Sequence, residues 1–170
     1  IMHIINYIEL MPKEIERKFL INKIPKNLTG NKIKQGYLQS EKHRTVRIRT
    51  VEKPNNDKKA YLTIKGASNK SGASRYEFET NIPYKEATYL LKLCNKPLIE
   101  KTRYIYNKND VIWEIDDFDG LNKGLLIAEI EIKNEQQSFK LPSFIVKEVT
   151  GDPKYYNSAL QKHPYQKWKK

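Results

Sequence analysis

At 170 residues, with 38% hydrophobic and 31% charged side chains, the chain is long enough for one domain with a real core. Its eleven tyrosines and ordinary apolar content exclude a disordered chain. A formal charge of +12 favours anionic partners, whether phosphates, nucleic acid or an acidic membrane surface, without choosing among them.

Cys94 is the only cysteine, which rules out an internal disulfide and a Cys-rich zinc site and points to the reducing cytoplasm. The three histidines (His3, His43 and His163) are scattered, so any metal would be held by carboxylates, which suits Mg²⁺ or Mn²⁺. No stretch has the length of a membrane-spanning helix, so no membrane partner is expected.

In chain order, residues 1–10 read as an extension, an upstream-start artefact ahead of a single domain over 11–163, with Met11 as its natural first residue. Period-two alternation then predicts eight strands: Lys13–Ile21, Ile33–Gln39, Arg44–Glu52, Lys59–Lys65, Ser74–Thr80, Leu98–Asn107, Val111–Phe118 and Leu125–Lys133. Asn-, Asp-, Pro- and Gly-rich turns separate them. After the fifth strand, Ala87, Leu90, Leu91 and Cys94 fall on one stripe of a helix over Tyr84–Asn95, with Pro83 at its entrance. A second helix starts at the cap Asp152-Pro153 and runs to about Lys162. Residues 164–170 form a loose basic tail. Many short antiparallel strands with few helices imply an α+β chain, mainly antiparallel β, whose sheet closes to hide its edges.

The charges sit on one face of seven of these strands. Glu14, Glu16 and Lys18 share a face, as do Arg47 and Arg49, and Arg75, Glu77 and Glu79. The same holds for Lys101 and Arg103, Glu114 and Asp116, and Glu129 and Glu131, while Lys65 alternates with Leu62 and Ile64. A merely wet sheet face carries mostly Thr, Ser, Gln and Lys; these faces are dense in Arg and Glu. Seven bases and eight acids turned inward sum to −1, a mixture that a hydrated lumen tolerates and a dry one does not. The rest of the chain then carries +13, an outer field that steers anions inward.

At these residues the chain resembles the CYTH family, the triphosphate tunnel metalloenzymes. Glu14-Ile15-Glu16-Arg17-Lys18 fits the family's N-terminal Glu-x-Glu-x-Lys signature. Further matches follow in order: Gln35-Gly36-Tyr37-Leu38, Arg47-Ile48-Arg49, Leu62-Thr63-Ile64-Lys65, Arg75-Tyr76-Glu77-Phe78-Glu79, Lys101-Thr102-Arg103, Trp113-Glu114-Ile115-Asp116, Ala128-Glu129-Ile130-Glu131, and Glu148-Val149-Thr150 with Tyr156-Asn157. The resemblance implies an eight-stranded closed tunnel barrel with a charged interior and flanking helices, and metal-dependent hydrolysis of a small anionic triphosphate. Inorganic tripolyphosphate, cut to pyrophosphate and phosphate, fits the short bacterial members that the chain is most similar to.

Given that resemblance, Lys18, Arg47, Arg49, Lys65, Arg75, Lys101 and Arg103 are expected to bind the phosphate chain through charge-assisted hydrogen bonds. Glu14, Glu16, Asp116, Glu129 and Glu131 are expected to hold the metal, with Glu77, Glu79 and Glu114 orienting the bases. The chemical step is assigned to Glu14, Glu16, Lys18, Arg49 and Lys65. Two rivals remain at this point. One is a nucleoside or thiamine triphosphatase or a class IV adenylate cyclase of the same fold. The other is a non-catalytic polyphosphate- or RNA-binding module, which the Glu-x-Glu pairs disfavour. A homodimer is left open.

Overall fold

The computed structural model describes residues 13–41, 43–68, 74–134 and 136–168, apart from the side chains of Lys13, Glu14, Ser68 and Ser74. The extension over residues 1–10 lies outside the described residues. Nine strands form one antiparallel sheet: β1 (Lys13–Ile21), β2 (Gly30–Glu41), β3 (Arg44–Glu52), β4 (Lys58–Ser68), β5 (Ser74–Asn81), β6 (Ile99–Lys108), β7 (Val111–Phe118), β8 (Leu126–Glu131) and β9 (Ile145–Glu148). Two helices accompany them, α1 (Tyr84–Leu93) and α2 (Asn157–Lys162). Among the described residues no helix is long and apolar enough to cross a membrane.

The strand order is β5-β4-β3-β2-β6-β7-β8-β1-β9. Turn chemistry sets the hairpins. Asn109 and Asp110 both take positive φ between β6 and β7, the geometry of a tight two-residue turn matched to strand twist. Asn56, also at positive φ, closes the β3–β4 loop, where Lys53 N donates to Asp57 O at 2.9 Å.

Two expectations about the sheet are corrected. Among the described residues it has nine strands, not eight. The ninth, Ile145–Glu148, pairs with the end of β1 and is only four residues long, too short to show alternation. Nor is the sheet sealed into a continuous hydrogen-bonded barrel. It curls until β1 meets β5, but over three residue pairs only, whereas β2 and β3 share nine.

The apolar outer face is covered in two places. A cluster of Phe19, Trp113, Ile115 and Ile130 lies beneath the segment carrying Phe139 and Phe144, with Trp113 edge-on to both rings. Under α1, the stripe residues Ala87 and Leu91 pack with Cys94 on Ile48 and Ala60. The C-terminal cap of the helix and the turn after it come so close to β2 that only glycine fits at position 36. A Cβ there would lie 2.5 Å from Cys94 Cβ and 2.7 Å from Leu98 Cδ2. Gly36→Ala is therefore expected to destabilise the domain by about 1–3 kcal/mol, read as a lower melting temperature, with α1 pushed off the sheet.

The third cluster lies inside the curled sheet. Ile99, Phe118 and Ile127 hold the same strand faces as the charged residues two positions along, and they pack with Leu125, Val149, Tyr155 and Leu160. One end of the lumen is thus apolar and filled by the C-terminal segment, which narrows the expected fully charged interior. That segment differs from its expected form. Asp152 caps a short 3₁₀ turn, accepting from Lys154 N at 3.2 Å, and the helix proper begins at Asn157. In the tail, Trp168 stacks edge-on to Tyr155 and Tyr165 at centroid distances of 5.3 and 5.0 Å. The rings of Tyr165 and Trp168 hold the tail against the C-terminal segment.

Candidate active site

Above the apolar plug, the curled sheet encloses a cavity of about 700 Å³. Alternation aims the side chains and register decides which of them meet. On β3, β4 and β5 the cavity wall carries Arg47, Arg49, Lys65 and Arg75. On β1, β7 and β8 it carries Glu16, Glu114, Glu129 and Glu131. Lys18 and Arg103 join the acidic side, and Glu77 and Glu79 the basic side.

The acidic wall is a linked network. Lys18 and Glu129 face each other across β1 and β8, as do Glu16 and Glu131. Lys18 Nζ donates to Glu129 Oε1 and lies 3.2 Å from Glu16 Oε1. Arg103 donates from Nη2 to Glu129 Oε2 at 3.0 Å and from Nη1 to Glu114. Burial disfavours the Lys18 ammonium, but Glu129 and Glu16 outweigh it and hold its pKa above the ordinary lysine value. Burial likewise opposes the Glu129 carboxylate, yet Lys18, Arg103 and Lys101 keep its pKa well below the usual range.

The basic wall has ion pairs of its own. Arg47 Nη2 donates to Thr63 Oγ1 at 2.9 Å and reaches Glu79 Oε2 at 3.2 Å, and Lys65 Nζ lies 2.6 Å from Glu77 Oε2. Among the described residues Arg49 is paired with no carboxylate; its Nε donates only to Gln35 Oε1, at 3.3 Å. Burial, with Arg47 and Arg103 close by, pushes the Arg49 pKa down to about 10. A guanidinium held among other cations with no anion of its own is a position that awaits one.

Two expected site residues sit apart from the cavity lining. Asp116 and Lys101 both have side chains at 0% exposure. Asp116 accepts from Arg103 Nε at 2.6 Å and Nη2 at 2.7 Å, and also from Lys101 Nζ. Burial would raise the Asp116 pKa, but Arg103 and Lys101 bring it below the ordinary value. Both its oxygens are thereby committed to bases. Lys101 rests over the Phe118 ring at 5.2 Å, at the boundary with the plug, and burial lowers its pKa to about 8 despite Asp116.

For a metal, the cavity offers oxygen donors. Glu16 and Glu131 are cross-strand neighbours on its wall, which suits a hard divalent cation. Among the described residues no three His, Cys, Asp or Glu side chains converge into a ready cluster, and the side chain of Glu14 lies outside the described residues.

Several lining residues were not singled out from the sequence. Tyr37, quoted only within a matched motif, shares its face with Gln35 and lies opposite Arg47 across β2 and β3. Tyr156, Asn157 and Ser158 reach the cavity from the C-terminal segment. For Tyr37 a signal existed in the alternation with Gln35. Tyr156 and Asn157 were likewise quoted within a matched motif, and only for Ser158 was there no signal, because its approach depends on packing between distant parts of the chain.

The family model for the CYTH domain matches residues 12–162. This chain belongs to the CYTH family. Among curated proteins, this CYTH domain is 48% identical over 162 residues to an inorganic triphosphatase of Acetivibrio thermocellus, covering 94% of the chain and 99% of that protein. It is 32% identical over 151 residues to an inorganic triphosphatase of Nitrosomonas europaea, covering 86% and 95%. Among solved structures, an inorganic triphosphatase superposes with a TM-score of 0.62 at 30% identity, over 89% of this chain and 95% of that one. A Pyrococcus horikoshii protein superposes at 0.54 with 24% identity over 72% of this chain and 79% of its own, a likeness of fold alone.

Proposed function

We propose that this CYTH domain is a divalent-metal-dependent hydrolase of inorganic tripolyphosphate, releasing phosphate and pyrophosphate. The observation that carries this reading is Arg49: a cavity-wall guanidinium that no carboxylate among the described residues pairs, beside Arg47 and opposite a wall of carboxylates. A pure polyanion binder has no use for the acidic wall, and a lone metal site has no use for the basic one. The triphosphatase names of two curated relatives, matched over nearly their full lengths, agree.

In this reading the phosphate chain lies along Arg47, Arg49, Lys65 and Arg75, with Lys18 and Arg103 completing the cradle. Arg presents paired N–H groups to phosphate oxygens, and Lys a mobile point charge. Glu16 and Glu131, with Glu14 from the same strand, would hold Mg²⁺ or Mn²⁺. When bound, such an ion neutralises charge developing on the transferred phosphoryl group and lowers the pKa of a coordinated water. Water oxygen adds to the terminal phosphorus, the P–O bond to the bridging oxygen breaks, and pyrophosphate departs with that electron pair. The basic residues stabilise the departing charge. Lys18, locked by Glu129 and Glu16, stays protonated throughout. Tyr37 and Tyr156 are the only aromatic side chains among the described lining residues, so those residues offer few ring faces to a nucleobase. The lone cysteine, buried and without a disulfide partner, fits the cytoplasm.

The test is phosphate release from tripolyphosphate, ATP and thiamine triphosphate with Mg²⁺, Mn²⁺ or EDTA. Tripolyphosphate should be the preferred substrate, and chelation should lower the rate by about 100-fold or more. Tight binding of tripolyphosphate without phosphate release, or cyclic AMP and pyrophosphate formed from ATP, would refute the proposal.

A further inference from the structure

Lys101 poses a problem of donors. Its ammonium carries three N–H groups and its side chain is wholly shut off from solvent. Asp116 Oδ2 accepts one of them. Below it lies the Phe118 ring, an electron-rich face but a poor substitute for an acceptor. The remaining described acceptor is Asn157 Oδ1, at 3.4 Å, the long end of a hydrogen bond. Asn157 belongs to α2, whose neighbour Leu160 fills the apolar plug at 0% exposure and whose Lys162 Nζ donates to Ser40 O at 2.8 Å. The helix is thus anchored independently at its far end, and Asn157 stands at the point where it meets the charged network.

From Lys101 the chain of contacts runs directly to the cavity. Asp116 holds Lys101 on one side and both Nε and Nη2 of Arg103 on the other. Arg103 in turn reaches Glu114 and Glu129, and Glu129 reaches Lys18. A buried polar network of this kind holds its geometry only when every member is satisfied.

We propose that the first residue of α2 serves the catalytic site: Asn157 is a positioning residue that fixes the Lys101 ammonium and, through Asp116, sets the place of the Arg103 guanidinium. Lys101 then acts on the reaction without contacting substrate. This rests on the triphosphatase reading for its activity readout. Loss of the Asn157 oxygen leaves a buried ammonium short of an acceptor, which pulls on Asp116 and tilts Arg103. The five other cationic groups of the cradle still bind the ground state, so the loss falls on turnover more than on substrate affinity.

The experiment compares wild type with Asn157→Ala, Asn157→Ser, Asn157→Asp and Lys162→Ala. The alanine and serine variants, neither with an acceptor that reaches Lys101, should lower kcat on tripolyphosphate by about tenfold with KM within about threefold. Asn157→Asp, which keeps an acceptor, should stay within about threefold of wild type in kcat. Lys162→Ala, which loosens the far end of the helix, should leave kcat unchanged even if melting falls. The Lys101 ammonium signal, read by ¹⁵N NMR without substrate, should shift in the alanine and serine variants and persist in the aspartate one. The proposal is overturned if Asn157→Ala or Asn157→Ser keeps wild-type kcat, if Lys162→Ala loses as much kcat as they do, or if the ammonium signal is indifferent to residue 157. Wild-type protein inert towards tripolyphosphate would sink the functional reading, and the ammonium signal would still decide the tether.

Discussion

Arg49→Ala is expected to reduce kcat/KM on tripolyphosphate by about 10²–10³-fold, the loss seen when a preorganised donor to a developing anion is removed. The fold itself should not suffer. Arg49 is partly buried beside Arg47 and Arg103 and, among the described residues, has no carboxylate that its removal would strand. Taking away a guanidinium whose pKa is already depressed to about 10 relieves repulsion, which offsets the donor lost by Gln35 Oε1, so the melting temperature should hold. Arg49→Lys should recover only part of the activity, because an ammonium does not reproduce a planar, forked donor. Steady-state kinetics paired with thermal unfolding reads both halves. A variant that keeps its activity, or one that loses activity only in step with stability, removes Arg49 from the phosphate cradle.

The largest stability effect is expected at Asp116. Asp116→Ala strands Lys101 in a dry layer and strips Arg103 of one of its three carboxylates, at a cost of about 3–5 kcal/mol. For a domain of this size each kcal/mol lowers the melting temperature by about 2–4 °C. Adding Lys101→Met to Asp116→Ala should recover a part of the loss, since the stranded ammonium is gone, whereas Lys101→Met alone should be far milder. Equal melting temperatures for Asp116→Ala and wild type would show that the layer is not dry. The same network sets an acid limit. Asp116 and Glu129 have folded-state pKa values below those of the unfolded chain, so their contribution is complete above an unfolded carboxylate pKa of about 4. It is lost as pH falls through the folded values. Stability should therefore stay level from neutrality down to about pH 4 and decline below it. Asp116→Asn should flatten that decline.

Much of the site was legible because a strand displays its residues with strict alternation. Glu129 and Glu131 point the same way whatever lies beside them, and so do Arg47 and Arg49. Six of the seven expected phosphate-binding bases line the cavity. Lys101 is the exception. Its strand face is the expected one, but it sits one layer too deep, where Ile99, Phe118 and Ile127 have replaced charge with hydrocarbon. Asp116 follows it, because its two partners are bases and neither of its oxygens remains open. The ninth strand was hidden because four residues paired only to β1 carry no periodic signal of their own.

The sequence alone determined the alternation of charge and hydrocarbon on each strand, the hairpins with their Asn and Asp turns, the apolar stripe of α1 and the membership of the chain in its family. These are local properties, set by backbone geometry and by short patterns that need no partner. Only the tertiary structure decided which charge meets which, how deep each one lies, and that the C-terminal helix brings Asn157 to Lys101. Those depend on strand register and on the exclusion of water by segments some 50 residues or more apart. An ion's energy is governed by the dielectric around it and the counter-charge it finds, and neither is written in its neighbours along the chain.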